Sequence, residues 1–564
     1  MVSCVDTIIL PDDKTVDEDF WKSKSDVALM VNGAYKSMLT DAVMARLIVW
    51  GGLRSDELLP NTGITGVLTE DLRDINLANT QPDNQFATWG SIYSVINNCN
   101  IVLSRAAAVM GEDPSYTQGD YLADRSQMLA LRALCYFYLV RNFRDVPYHT
   151  TAYMTSSINR DLPQTAPATV LASCITDLLE AERNAISASA YNDWRRVGYF
   201  TRDGIQSLLA DIYLWRASVM HNASDYEQAV IYCNRVIESK KNQHVAGRHE
   251  VGDKEFPLAN GGEAFADIFV TQNAEESIFE LQFNGTNNAA IALQQYYARV
   301  SSSNNAPYLY APSKFHDDTE GIYVKTTNGM DYRLSNTFNS QKTVDEYDVV
   351  NIRKYVSKST ATGNVSNTSE NVAYNNYNAQ NFIIYRLTDV MLMKAEALAA
   401  LAQITEDNAP EGQDTTDVTR LEEAFHLVQV VNARSLEAEQ DSLLWSTYKS
   451  KKAADIEQLV LSERQRELAF EGKRWYDLLR YNYRHVEGVN YNTILAQQGG
   501  GFVENSQDML NLMKQKLGSS GDAVASKTAT EPRLYLPVPL ADLKVSSLLL
   551  QMPTYSSDET ISKN

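Results

Sequence analysis

Residues 461–480 read LSERQRELAFEGKRWYDLLR. Leu461, Leu468, Trp475, Leu478 and Leu479 recur on one face of a 3.6-residue repeat, which predicts a long helix. Arg464 and Glu467, Glu471 and Arg474, and Asp477 and Arg480 each stand three apart with opposite charge, the spacing of neighbours on a helix surface. One face is expected to pack and the other to carry ion pairs. Glu463, Glu467, Glu471 and Asp477 are therefore read as a structural network rather than a catalytic or metal-binding set. Gly472 costs about 1 kcal/mol relative to alanine inside a helix. It points either to a neighbouring backbone at close range or to a break between two helices.

Outward from this stretch, helical periodicity dominates residues 26–240. Residues 206–241, QSLLADIYLWRASVMHNASDYEQAVIYCNRVIESKK, place Ala210 and Tyr213 before a turn and Tyr226, Ala229, Cys233 and Val236 after it. This is a tetratricopeptide-type helix pair, in which small residues let two helices approach and aromatics fill the gap. A second pair is expected from Arg386 to Ser435 around the acidic loop TEDNAPEGQDTTD. A single repeat cannot bury its own apolar face, so the pairs must stack, and the helix with Trp475 joins that stack. The fold class is mainly α: a tetratricopeptide-like helical scaffold with a long, loop-rich insertion containing a few short strands.

That insertion is residues 241–385. SIFELQF at 277–283 alternates like a half-buried strand, and NGTNNAA, SSSNNAP and TATGNVSNTSEN are polar and turn-rich. A Gly-rich stretch, QQGGGFVENSQ, begins at Gln497. Long irregular segments of this kind are the first place to seek ligand contacts. We expect one domain over 1–564: a tether at 1–25, helical repeats at 26–240 and 386–480, the insertion between them, and C-terminal loops at 481–564.

The 564-residue chain carries 71 acidic and 50 basic residues, a net charge of −21, with no basic run to neutralise phosphates. Nucleic acid and anionic membrane surfaces are therefore poor partners, while neutral ligands and oppositely charged proteins remain open. Cys4, Cys99, Cys135, Cys174 and Cys233 lack CxxC or Cys/His ligand spacing, and the seven histidines form no ligand pair. Cys99, Cys135 and Cys233 read as small buried hydrophobes. DDTEG at Asp317 departs from the calcium-loop pattern, and Gly499, Gly500 and Gly501 lack the lysine of a phosphate loop. No cofactor or metal site is indicated. No apolar run of about 18 or more residues is present to cross a membrane as a helix.

The 461–480 stretch closely resembles the late helix of the SusD/RagB family of glycan-capture lipoproteins, which reads like E-R-x-x-E-L-x-F-E-G-x-R-W-x-D-L-x-R. Similar pieces follow in the family's order: DFWKSKSDVALMVNGAY, WGSIYSVINNCN, LRALCYFYLVRNFRDVPY, AEESIFELQF, NFIIYRLTDVMLMKAEALAA and RLYLPVPLADL. The departure is Gln551–Tyr555, QMPTY, where members often carry a Q-N-P-G-Y-like segment. The resemblance implies a non-enzymatic protein on the outer-membrane surface that captures an oligosaccharide for a SusC-like TonB-dependent transporter. A tetratricopeptide scaffold for protein or peptide, and a glycoside hydrolase, are the alternatives. MVSC at the start resembles the end of a lipoprotein signal, making Cys4 the expected lipidation site. The charged and apolar parts of such a signal are missing, so the start shown is expected to be trimmed or internal.

A glycan site needs aromatic platforms for the apolar faces of sugar rings and polar side chains for their edges. Tyr296, Tyr297, Tyr308 and Tyr310 lie in the irregular middle near Asn304 and Asn305, and Tyr374 and Tyr377 lie in a stretch rich in Asn. The family's use of an early loop adds Trp50, Arg54, Asp56, Arg73 and Asp74. The glycan-binding candidates are thus Tyr296, Tyr297, Tyr308, Tyr310, Trp50, Arg73 and Asp74. Trp89, Trp194, Trp215 and Trp475 are expected in the core.

Overall fold

Local signals set the helix starts. Helix α1 (Lys24–Met38) opens on a capping box: Ser23 Oγ accepts from the Asp26 N–H at 3.3 Å, and Asp26 Oδ2 accepts from the Ser23 N–H at 2.8 Å. Two donors that the helix would otherwise leave orphaned are satisfied together. Helix α2 (Gly90–Glu112) follows, and Thr117 and Asp120 repeat the capping device at the start of α3 (Gln118–Phe143). Every residue of α3 from Ser126 to Phe143 is buried, so LRALCYFYLVRNF forms a central helix that packs against both α2 and α4 (Pro167–Asn184). This computed structural model describes residues 20–154, 161–244, 255–297, 306–315, 321–323, 328–344, 347–356, 379–410 and 415–555.

Both expected helix pairs form. In the first, α5 (Arg202–Met220) lies against α6 (Ala223–Gln243), with Tyr213 and Tyr232 stacked at 5.8 Å. In the second, α7 (Leu387–Asp407) packs on α8 (Val418–Arg434). Helix α6 also packs on α7, so pairs far apart in sequence bury one another's apolar faces, as the repeat logic requires. Helix α9 (Ala453–Leu468) covers α7 and α8 and completes the stack.

The stretch that opened the sequence reading is two helices. Helix α9 ends at Leu468, and α10 (Arg474–Arg484) begins after a turn in which Phe470 and Gly472 have φ of 65° and 68°. Both readings of Gly472 hold. A Cβ there would lie 2.8 Å from the Leu47 carbonyl oxygen, and one on Gly51 would collide with the Gly472 carbonyl. Two backbones touch where side chains cannot intervene.

The break rearranges the expected ion pairs. Only Asp477–Arg480, at 2.7 Å, forms as the spacing suggests. Arg474 instead reaches Asp56 at 2.8 Å, and Glu471 is held by Lys354 at 2.7 Å and Arg386 at 2.8 Å. Glu467 meets Arg386 at 2.6 Å, Arg333 at 3.0 Å and Arg434, while Arg464 bridges Asp389 and Asp477. All of these carboxylates are buried, so each draws on partners from other elements to offset its desolvation.

The insertion contributes little regular structure but is tied into the rest. Strands β1 (Leu59–Pro60), β5 (Leu309–Pro312), β6 (Phe338–Val344) and β7 (Tyr347–Ile352) make an antiparallel sheet in the order β1-β5-β7-β6. Strands β2 (Val146–Pro147) and β3 (Gln164–Thr165) pair with each other, as do β4 (Ser277–Leu281) and β8 (Phe382–Arg386). The alternation in SIFELQF suggests a half-buried strand, yet all five residues of β4 are buried. Glu280 is accommodated because Asn381 donates to it at 2.8 Å. The described part of the C-terminal segment, 481–555, is more than loops: it holds short helices at Gln507–Lys514, Gly521–Lys527 and α11 (Leu540–Val545).

Trp89, Trp215 and Trp475 are buried as expected, but Trp194 is 45% exposed. It precedes a four-residue helix, Arg195–Gly198, that buries Val197 and Gly198 instead, and its ring meets Tyr199 edge-on at 5.3 Å. Cys99, Cys135, Cys174 and Cys233 are all buried.

Candidate functional site

Most of the aromatics singled out for ligand contact are core residues. Trp50 is fully buried, donates its indole N–H to the Phe86 carbonyl at 2.9 Å, and meets Phe143 edge-on. Tyr296, Tyr297 and Tyr310 are also buried. The Tyr297 hydroxyl donates to the Phe470 carbonyl at 3.2 Å, and the Tyr310 hydroxyl accepts from Asn61 Nδ2 at 3.3 Å. The reason is the β1–β5 pairing, which folds the irregular middle onto the early loop and seals both. Arg54 lies over the Trp475 ring and Asp56 belongs to the buried network. These faces are closed to a ligand. Tyr308 remains half-buried, edge-on to Tyr296, while Arg73 is exposed and Asp74 accepts from Asn79. Cys4, Asn304, Asn305, Asp317, Tyr374 and Tyr377 lie outside the described residues.

An open cleft of about 590 Å³ lies elsewhere, where α2, residues 147–153, residues 161–162 and α11 with the residues after it converge. Its aromatic members are Trp89, Tyr93, His149 and Tyr153. Trp89 caps α2, Tyr93 and Asn97 follow at steps of four, and this spacing puts all three on one helix face. Tyr93 and His149 stack at 5.9 Å with planes 12° apart, and His149 meets Tyr153 at 4.5 Å.

The loop bearing His149 and Tyr153 is pinned by side chains. Asn97 clamps Tyr153, donating to its carbonyl at 3.1 Å and accepting from its N–H at 2.7 Å. Asn100 donates to the Thr151 carbonyl at 3.2 Å. The Tyr136 hydroxyl both accepts from the His149 N–H at 2.9 Å and donates to its carbonyl at 2.7 Å. The Tyr93 hydroxyl donates to the Pro147 carbonyl at 2.5 Å. The rings and amides of the cleft are thus fixed by the fold itself, an arrangement that lowers the ordering cost of binding in sites built this way.

The polar lining is distinct in charge. Asp161, Asp542, Asn97, Asn98, Ser94 and Ser546 contribute oxygens and amides. Asp161 accepts from Ser546 Oγ, and the Asp542 carboxyl lies within hydrogen-bonding reach of the Trp89 indole. Burial pushes Asp542 above the usual carboxylate range, only partly opposed by Trp89. Burial pushes His149 below the ordinary imidazole value, so it is neutral at pH 7. Val545 and Leu549 add an apolar rim. Aromatic faces beside fixed donors and acceptors suit a polyhydroxylated ring.

Sequence reasoning singled out WGSIYSVINNCN but treated Trp89 as core alone, and it passed over Tyr93, Asn97, Asn98, His149, Tyr153, Asp161 and Asp542. One signal is present: the Trp89–Tyr93–Asn97 stripe on a helix whose other face is apolar. The contribution of α11, more than 400 residues away, carries none.

With the fold and cleft in view, likeness to known proteins is informative. A model described as the SusD family matches residues 275–555, and one described as "Starch-binding associating with outer membrane" matches residues 11–214. The chain belongs to the SusD/RagB family. SusD-like protein P38 of Formosa agariphila is 25% identical over 493 residues, covering 84% of this chain and 86% of that protein. SusD-like protein P2 of the same organism is 23% identical, covering 85% and 88%. A SusD homolog from Bacteroides thetaiotaomicron superposes with a TM-score of 0.68 at 18% identity, over 96% of this chain and 99% of that one. A laminarin binding SusD-like protein superposes with a TM-score of 0.61 at 18% identity, over 94% and 99%.

Proposed function

We propose that this chain is a non-enzymatic glycan-capture protein of the outer-membrane surface, which holds an oligosaccharide in the Trp89–Tyr153 cleft. The observation that carries the reading is the cleft's pinned combination of aromatic rings with amide and carboxylate groups. Membership in the SusD family and the laminarin-binding neighbour support it. Delivery to a SusC-like TonB-dependent transporter and attachment through a lipid on Cys4 complete the proposal. Both carboxyl groups of the cleft have protein hydrogen-bonding partners, which fits holding a sugar better than exchanging protons with it.

The test is incubation of purified protein with defined oligosaccharides, followed by chromatography of both fractions. Capture predicts that sugar is retained and recovered intact. Shortened products would make the protein a hydrolase, and absence of retention would favour the peptide or protein scaffold. Intact-mass analysis of protein from its native membrane tests the anchor, and an unmodified Cys4 would refute it.

A further inference from the structure

Resting on the cleft as the glycan site, we infer that Tyr136 and Asn100, two buried residues that touch no ligand, set its affinity by positioning the loop that carries His149 and Tyr153. Beyond the short strand β2, residues 148–153 take no regular structure, so their backbone groups must find partners elsewhere. Side chains supply them at every second residue. Tyr93 holds the Pro147 carbonyl, Tyr136 both polar groups of His149, Asn100 the Thr151 carbonyl, and Asn97 both polar groups of Tyr153. Tyr93, Asn97 and Asn100 follow one another on α2 at steps of four and three, so one helix face serves as a template for the loop. Tyr93 and Asn97 also line the cleft, and changing either would alter ligand contact and loop position together. Tyr136 and Asn100 are each 1% exposed and act through the loop alone.

Each of the two is itself fixed from behind. The Tyr136 ring is tilted against Tyr148 at 4.7 Å and edge-on to Tyr93 at 6.3 Å, which keeps its hydroxyl on the His149 backbone. Arg132, one turn before Tyr136 on α3, donates to Asn100 Oδ1 at 2.8 Å and is held in turn by Asp177 of α4 at 2.7 Å. That contact orients the Asn100 amide, because with the oxygen engaged by Arg132 the NH2 group is the one turned to Thr151. A buried chain of hydrogen bonds thus runs from α4 through α3 and α2 to the loop: Asp177, Arg132, Asn100, Thr151. Removing one grip loosens the loop around His149 without changing a group that lines the cleft. A sugar must then order rings that the intact fold already holds, and its affinity falls by that ordering cost.

The experiment compares two variants of the full chain that lose the same chemical group. Tyr136→Phe keeps its ring and loses the hydroxyl on His149, whereas Tyr297→Phe loses a buried hydroxyl that donates to the Phe470 carbonyl. Both should unfold at lower urea than wild type. Binding is read by affinity electrophoresis in gels containing, one at a time, laminarin, mannan, xylan, galactan and polygalacturonate, and loop order by amide hydrogen exchange of a peptide spanning 147–153. Tyr136→Phe should weaken binding to the retarding polymer by roughly three- to tenfold and speed exchange in that peptide, and Tyr297→Phe should do neither. Asn100→Asp keeps the oxygen that Arg132 uses and loses the donor to Thr151, and it should weaken binding in the same range. Wild-type affinity in either variant, with binding lost in Tyr153→Ala, would overturn the assignment of that residue and leave the cleft standing. Equal weakening in Tyr136→Phe and Tyr297→Phe would reduce Tyr136 to a contributor to stability and overturn its positioning role. Wild-type affinity in Tyr153→Ala, or retardation by none of the five polymers, would overturn the cleft reading and this inference with it.

Discussion

Tyr297 ends a seven-residue helix, Ile291–Tyr297, and Tyr153 lies in a loop, but it is their surroundings that separate their roles. Tyr297 is buried against Phe470, whereas Tyr153 stays partly open at the cleft with its backbone held by Asn97. Truncating a large buried ring costs about 3–5 kcal/mol, so Tyr297→Ala should lower unfolding stability in urea by that amount. Tyr153→Ala should leave the unfolding curve nearly unchanged. Equal stability losses would contradict the assignment of one ring to the core and the other to the cleft. The thiols give a second residue-scale test. Burial pushes Cys99 up to about 12 and raises Cys135, Cys174 and Cys233 likewise. Since the thiolate is the nucleophile, iodoacetamide at pH 8 should leave these four unmodified in the folded protein and label them once urea is added. Native labelling of any of the four, read by peptide mass, would contradict the packing described.

Among the elements, the junction of α9 and α10 is where the fold is most exposed to a single change. Burial raises the proton affinity of Glu471, but Arg386 and Lys354 overcome this and hold it below the ordinary range. Glu471→Ala would leave Lys354 without its carboxylate and Arg386 with Glu467 alone, and breaking a buried pair in this way costs about 3–5 kcal/mol. Calorimetric melting checks it, and a melting temperature within a degree or two of wild type would count against the network. Glu57 behaves oppositely: burial, reinforced by the charge of Asp56, pushes it up to about 8. In the unfolded chain it titrates at about 4.3, so as pH rises from there to about 8 only the unfolded state ionises and stability falls. Glu57→Gln should remove this slope, gaining on wild type in urea titrations as pH goes from 5 to 8; parallel curves would refute the shift. The same junction shows what the sequence makes legible. Helical pairs around Tyr213 and Tyr232 are readable because period and small residues are local properties. Ion-pair partners three apart are readable only on an exposed, continuous helix. Once Gly472 breaks the helix and buries both halves, each charge takes partners from distant elements, as Arg474 does with Asp56.

At the scale of the whole molecule, the helical stack positions a cleft assembled from distant stretches: residues 89–98, residues 147–153 with 161–162, and residues 542–549. In the irregular middle, where tyrosines beside Asn-rich turns drew attention, β5 pairs with β1, and Tyr296, Tyr297 and Tyr310 are core. That reversal is not legible locally, because tyrosine serves equally as a platform and as a packed ring with a satisfied hydroxyl. Burial decides between the two, and burial depends on strand pairing across some 250 residues. The central claim, that glycan binds in the Trp89–Tyr153 cleft, is tested most directly by isothermal calorimetry. Wild type, Tyr153→Ala and Asn98→Ala would each be titrated with an oligosaccharide that the purified protein retains. The account predicts that each substitution weakens binding by about 1–2 kcal/mol with an unchanged melting temperature. Wild-type affinity in both variants would contradict it.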